Sequence, residues 1–158
     1  LKFKRAAFCV DLETGVSVGG RNFEVDVMLT GRSGKREHRI AIEMKCYRTM
    51  ASSGKPRGAT DIFMKDVYED LSITERYVDC GLAQEGVVLV MNDNSNFVQP
   101  ADRTAKCWNY DISHGARFGP ISLSTPIGGK QVNIDLKRAY VLNWDQQGKF
   151  WFLETQGI

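Results

Sequence analysis

Two strand-like segments, set on either side of a glycine-bearing turn, constrain this chain more than any other feature. In the first, FEVDVML at 23–29, Phe23, Val25, Val27 and Leu29 alternate with Glu24 and Asp26. In the second, RIAIEMKCYR at 39–48, Ile40, Ile42, Met44 and Cys46 alternate with Ala41, Glu43 and Lys45. Side chains of a strand point alternately to its two faces. Glu24 and Asp26 are therefore expected to share one face of the first strand, and Glu43 and Lys45 one face of the second. Acids and a lysine set into apolar strands are costly unless paired or bound, and that cost marks the segment as a candidate site. The intervening Thr30-Gly31-Arg32-Ser33-Gly34-Lys35-Arg36 leaves two registers open. With Ser33-Gly34 at the turn centre, Glu24 faces Glu43. With Gly34-Lys35 there, Asp26 faces Glu43 and Glu24 faces Lys45. Directly opposed residues of an antiparallel pair lie on the same side. Either register gathers carboxylates and Lys45 on one face, whereas a slip of one residue would scatter them.

The rest of the composition bounds what this site can serve. The chain has 158 residues and a net charge of +2, a length suited to one domain with a real core. No apolar run approaches the roughly 20 residues of a membrane span, and no secretory pattern is present. A cytoplasmic protein with no membrane partner is the expectation. The four cysteines, Cys9, Cys46, Cys80 and Cys107, are far apart, without the paired spacing of zinc ligands. They are expected to be reduced and mostly buried. The two histidines, His38 and His114, exclude a histidine-rich metal centre and are expected at the surface or in supporting roles.

Turn signals and periodicity set the order of elements. Residues 1–14 are ambiguous, and Gly15, Gly19 and Gly20 bracket a short strand at 16–18. Strands follow over about 22–30 and 38–47, then a loop at 49–59. A helix is expected over about 61–79, with Thr60 as N-cap, Gly81 past its end, and Phe63, Val67, Leu71, Thr74 and Val78 as its inner stripe. The apolar run at 86–91 reads as a strand buried on both faces. The expected fold is α/β (α+β): a central mixed sheet with an antiparallel hairpin, a right-handed β-α-β crossover and flanking helices. A single domain spans 1–158, with its core over about 15–92 and a β-rich extension over about 99–158. That extension is expected to hold a short helix within 99–114, strands near 119–124, 131–143 and 149–154, and a hairpin turn at Asp145-Gln146-Gln147-Gly148. Trp144, Phe150, Trp151 and Phe152 load the last hairpin with aromatics, as core or as a homodimer contact.

An Asp on one strand, Glu-x-Lys on the next, then a helix and a buried strand, resembles the PD-(D/E)xK nucleases, the restriction-endonuclease-like superfamily. The matching residues are Asp26 and Glu43-Met44-Lys45, and the likeness covers roughly 15–92. Val25 stands where the family's proline would be. The family's first helix, with a further acid, is expected upstream of this chain or as a remnant in residues 1–9. The resemblance implies a Mg²⁺ (or Mn²⁺) dependent deoxyribonuclease. In it Asp26, Glu43 and the main-chain carbonyl of Met44 hold the metal, with Glu13 as a possible extra acid, and Lys45 assists the attacking water. The chemistry is consistent: phosphodiester hydrolysis needs a hard cation on oxygen ligands and an activated water, and a lysine to orient that water and offset developing charge. Glu24 is a candidate outer acid. Arg48, Lys55, Arg57 and Lys65 follow the motif and are candidate phosphate contacts for nucleic acid, with DNA expected. Arg32, Lys35, Arg36 and Arg39 add charge at the hairpin tip.

Three other readings stay open. A cross-strand ion pair on a solvated sheet face needs no function at all. Asp11-Leu12-Glu13-Thr14 resembles the first motif of DEDD 3′-5′ exonucleases, with Tyr140 and Asp145 as the loosely matching later pair. A non-catalytic nucleic-acid-binding or assembly domain with a nuclease-like fold is the third.

Overall fold

The computed structural model describes residues 7–158. Strand β1 (Ala7–Val18) runs into β2 (Arg21–Ser33) and β2 into β3 (Arg36–Tyr47), each pair antiparallel. Helix α1 (Thr60–Asp79) then leads to β4 (Glu85–Asn92), which pairs parallel with β3. Beyond a short α2 (Ser95–Val98) and a 3-10 turn over Lys106–Tyr110 come six strands. These are β5 (Ala116–Phe118), β6 (Ile121–Leu123), β7 (Ile134–Leu136), β8 (Tyr140–Leu142), β9 (Trp144–Gln147) and β10 (Phe150–Gln156). The main sheet has the order β1-β2-β3-β4-β10-β9, and β5–β8 and β6–β7 form two separate pairs. The chain is thus mixed α and β, rich in sheet. The C-terminal segment does two things: β9 and β10 extend the main sheet, and β5 to β8 cover α1.

That cover explains an unusual helix. The α1 residues Phe63, Met64, Val67 and Leu71 are buried as their stripe requires, yet Ser72 and Glu75 are buried too. Glu75 accepts from the amides of Lys137 and Arg138 and from the Tyr140 hydroxyl, and Ser72 donates to the Asp135 carbonyl. The helix lies between the main sheet and the small strand pairs, and the core fills the space around it. Its approach to β4 is close at Gly86, where a Cβ would stand 2.8 Å from Thr74.

Several local expectations change. The strand expected at 16–18 is the end of β1, and Ala7 to Cys9 belong to that strand, not to a helical remnant; residues 1–6 lie outside the described residues. Ala59, in a left-handed conformation at φ 63, precedes α1, so Thr60 is its first residue and not its cap. The expected strand at 131–143 is broken into β7 and β8, and Asp145 to Gln147 lie in β9, with the turn at Gly148-Lys149. Cys9, Cys46 and Cys80 are exposed and Cys107 is half-buried, because they fall on an edge strand, on the outer face of β3 and beyond the end of α1. Val78 is only half-buried. No helix of the described residues is long and apolar enough to cross a membrane.

The β1–β2 hairpin bends at one place. Val25 and Met28 belong to the same buried cluster, with Val18, Ala41 and Tyr77. Three residues apart in a regular strand, they would face opposite ways. The alternation breaks where Leu12 pairs with Val27 and Thr14 with Val25 while Glu13 and Asp26 are skipped, and Glu13 has φ 48. Past Val27–Ile42, β2 no longer pairs with β3. The outer half of the hairpin instead packs Val16, Val18, Phe23 and Val25 towards α1, with Phe23 edge-on to Tyr77 at 6.2 Å.

Candidate active site

Ser33 pairs with Arg36, which places Gly34-Lys35 at the turn centre, with Gly34 at φ 64. Of the two registers, this is the one that sets Asp26 towards Glu43. On β3, Ala41 and Glu43 are buried on the α1 side, and Ile40, Ile42, Met44 and Cys46 face the other way. The acid-bearing side of the hairpin is therefore the covered one, and a solvated ion pair does not describe it.

Each group has a defined neighbour. Asp26 accepts a 2.6 Å hydrogen bond from the amide of Met44, taking the place of the ladder that β2 has left. Glu43 is 8 % exposed and accepts from the Tyr77 hydroxyl at 2.9 Å. Lys45 Nζ lies 3.1 Å from Asp70 Oδ2. That oxygen is buried and has no hydrogen-bond partner, so the lysine charge is its one compensation among the described residues. Asp70 and Tyr77 are seven residues apart on α1, one face of the helix.

The electrostatics follow from the burial. Burial pushes the Glu43 carboxyl up to about 7; the Tyr77 hydrogen bond draws it down, and Asp26 and Asp70 push it up again. Asp70 is pushed up to about 6 by burial, against the attraction of Lys45. The Tyr77 hydroxyl is raised by burial and by the Glu43 charge. Three carboxylates thus crowd one lysine in a poorly solvated place. A divalent cation would relieve that crowding.

The donor set suits a hard cation, being carboxylate oxygen throughout. Among the described residues no three His, Cys, Asp or Glu side chains converge as a ligand group. What the protein offers is a pair, Asp26 and Glu43, and Mg²⁺ is commonly held by one or two carboxylates with water and substrate phosphate completing its shell.

The remaining candidates divide. Glu24 is exposed and pairs with Gly15; the break at Asp26 sends it to the other face, so it neither shares Asp26's face nor stands opposite Lys45. Glu13 is exposed at the bend. Arg48 is held by Asp93 at 3.4 Å and lies over Phe150, and Arg57 lies over the Tyr47 ring. Lys55 is exposed. Lys65 is drawn to Asp66 and Glu69 at 2.6 and 2.8 Å. Asp11 and Asp145 fall on β1 and β9, opposite edges of the six-stranded sheet, and Tyr140 is bonded to Glu75. Asp70 and Tyr77 are the residues that sequence reasoning missed. Their signal was available: both flank the apolar stripe of the helix that follows the Glu-x-Lys strand.

Comparison with family models, with curated proteins and with solved structures gives no match.

Proposed function

We propose that this chain is a metal-dependent nuclease domain that hydrolyses phosphodiester bonds, with DNA as substrate. The observation that carries the reading is the meeting of Asp26, Glu43 and Lys45 on the covered side of a β-hairpin, with Glu43 raised to about 7. In its support stand the Glu-x-Lys spacing and the order hairpin, helix, parallel strand, which we read as a right-handed crossover. Asp26 and Glu43 would hold Mg²⁺ or Mn²⁺, with the Met44 carbonyl as a third oxygen. Bound there, the ion supplies Lewis-acid stabilisation of the phosphate and a more acidic water. The protein's own groups do the rest. The Met44 amide orients the Asp26 carboxylate. Tyr77 fixes one oxygen of Glu43 and leaves the other free. Lys45 orients the attacking water and offsets charge on the phosphorus, and Asp70 keeps its ammonium in the site.

The test is cleavage of supercoiled and linear DNA in Mg²⁺ and in Mn²⁺, with chelator as control. Glu43→Gln and Asp26→Asn should each lower the rate by about 10²-fold or more, and Asp26→Asn should remove the rise in Tm that Mg²⁺ produces in wild type. Cleavage that survives in both variants sinks the assignment. Loss in Asp11→Asn and Glu13→Gln with activity kept in Glu43→Gln would move the site to the exonuclease reading. One observation favours a second reading, a non-catalytic binding or assembly domain: every group of the trio already has an internal partner. Metal binding without cleavage of any DNA or RNA would select it.

A further inference from the structure

Among the described residues the main sheet is covered on one face only. On the other, Phe8, Val10 and Leu12 of β1 are 79, 58 and 68 % exposed and Met44 of β3 is 51 % exposed. Pairing places them in one surface with Val27 and Leu29, Ile40 and Ile42, Leu89 and Met91, and Phe152. The run at 86–91 that reads as a strand buried on both faces has Val88 and Val90 in the core and Val87 buried at 8 % on the other face, but Leu89 and Met91 there are half-bare. No element of the described residues packs there. Four of the five pairings in this sheet are antiparallel, and an antiparallel sheet that leaves one face to water normally makes that face polar; this one is apolar, and a patch of this size is often an interaction surface.

We propose that this face is the interface between two copies of the chain, packed sheet on sheet. The area is one reason. The patch spans five strands at about 4.8 Å and about six residues at roughly 3.3 Å, a footprint near 500 Å² before side-chain relief is counted. That is the scale of the ~800 Å² of accessible surface per partner in a stable interface. A single helix, about 10 Å wide, would cover only about two of the strands, whereas a second sheet at about 10 Å covers them all. Charge is the other reason. A groove of about 640 Å³ between β3, β4 and β10 is edged by Asp145 and Glu154. A groove of about 320 Å³ at the far corner, beside Phe8 and Leu29, is edged by Arg36, while His38 beside it is already paired with Glu85 at 2.8 Å. A two-fold axis lying in the interface can set each acidic margin against the partner's basic corner, satisfying both at once. The contact differs from one through the aromatic hairpin: Trp144 is buried and donates to the Ile112 carbonyl, and Phe152 alone of the four aromatics is exposed, on this face.

Sedimentation equilibrium of the protein decides. Wild type is expected at twice its 17.8 kDa at concentrations of about 10 µM and above. Leu12→Glu with Met44→Glu changes two side chains that are already exposed, so the fold should hold, as circular dichroism would show, and the mass should fall to that of one chain. Ile121→Glu, away from this face, should leave the dimer intact. Arg36→Glu should weaken the dimer at least tenfold, and adding Glu154→Lys should restore it. A wild type that stays monomeric or aggregates without fixed mass overturns the proposal, as does a double variant that dimerises like wild type.

Discussion

At the scale of single residues, Glu43 and Asp70 make stability depend on pH in a direction opposite to most surface acids. Glu43 rises from 4.5 to about 7 and Asp70 from 3.8 to about 6. The folded protein therefore holds these protons more tightly than the unfolded chain. The stability they allow is full below pH ~4 and is lost as pH rises through about 6 and 7. For Glu43 the loss is on the order of 3 kcal/mol. Glu37, Asp79, Asp93 and Asp102 are lowered, so their contributions change only below about pH 4.5 and leave this window clear. Without divalent metal, the wild-type Tm should fall between pH 5 and pH 8. Glu43→Gln, a neutral side chain that can still accept from Tyr77, should flatten that fall and melt higher than wild type at pH 8. Thermal melts at the two pH values suffice; a variant that melts lower at pH 8 contradicts the raised carboxyl. The same pairings bear on how Lys45 is tested. Lys45→Ala leaves a buried Asp70 without its cation, so a loss of activity is attributable to chemistry only if Lys45→Ala with Asp70→Asn folds like wild type.

At the scale of elements, two backbone features place the site. The bend at Glu13 and Asp26 turns the outer hairpin towards α1 and seats Phe23 on Tyr77, which in turn holds Glu43. The start of α1 is set by Ala59 at φ 63 without a side-chain cap. A left-handed alanine costs about 1 kcal/mol relative to glycine, and glycine is also the better residue before a first helical turn. Ala59→Gly should therefore raise stability by about 0.5–1 kcal/mol in urea denaturation, with the m-value unchanged. A loss of stability would mean that the unfolded-chain entropy of glycine outweighs the relief. Alternation in the hairpin and the helix stripe were legible in the residues. The bend was not, because Phe23 to Val27 alternate regularly and the apolar Met28, in phase with Glu24 and Asp26, does not by itself say that it joins Val25 in one cluster.

At the scale of the whole molecule, the charges that could meet a nucleic acid are fewer than the sequence suggests. Lys65 is committed to Asp66 and Glu69, and Arg48 to Asp93. Lys55 and Arg57, on the loop that follows β3, carry no such acid among the described residues. Binding to duplex DNA in Ca²⁺ should weaken with salt. Lys55→Ala with Arg57→Ala should flatten the log–log slope by up to about 1.8, two contacts at about 0.9 each, while Lys65→Ala should leave it unchanged. A slope altered by Lys65→Ala and not by the double change would reverse this division.

What the sequence by itself determined is local: the order of hairpin, helix and parallel strand, the turn at Gly34-Lys35 as one of two registers, and the grouping of Asp26, Glu43 and Lys45. Those follow from a side-chain period of two and from turn chemistry, which act between near neighbours. Tertiary structure alone decided which face is buried. The alternation Ile40, Ile42, Met44 marks an apolar side, yet the covered side is the one with Glu43 and Lys45, because α1 and the C-terminal strands pile onto it. It also decided that Asp70 and Tyr77 reach the site, that Glu24 leaves it, and that one sheet face is left without a covering element among the described residues. Periodicity says which side chains share a face; which layer lies over that face depends on residues far along the chain.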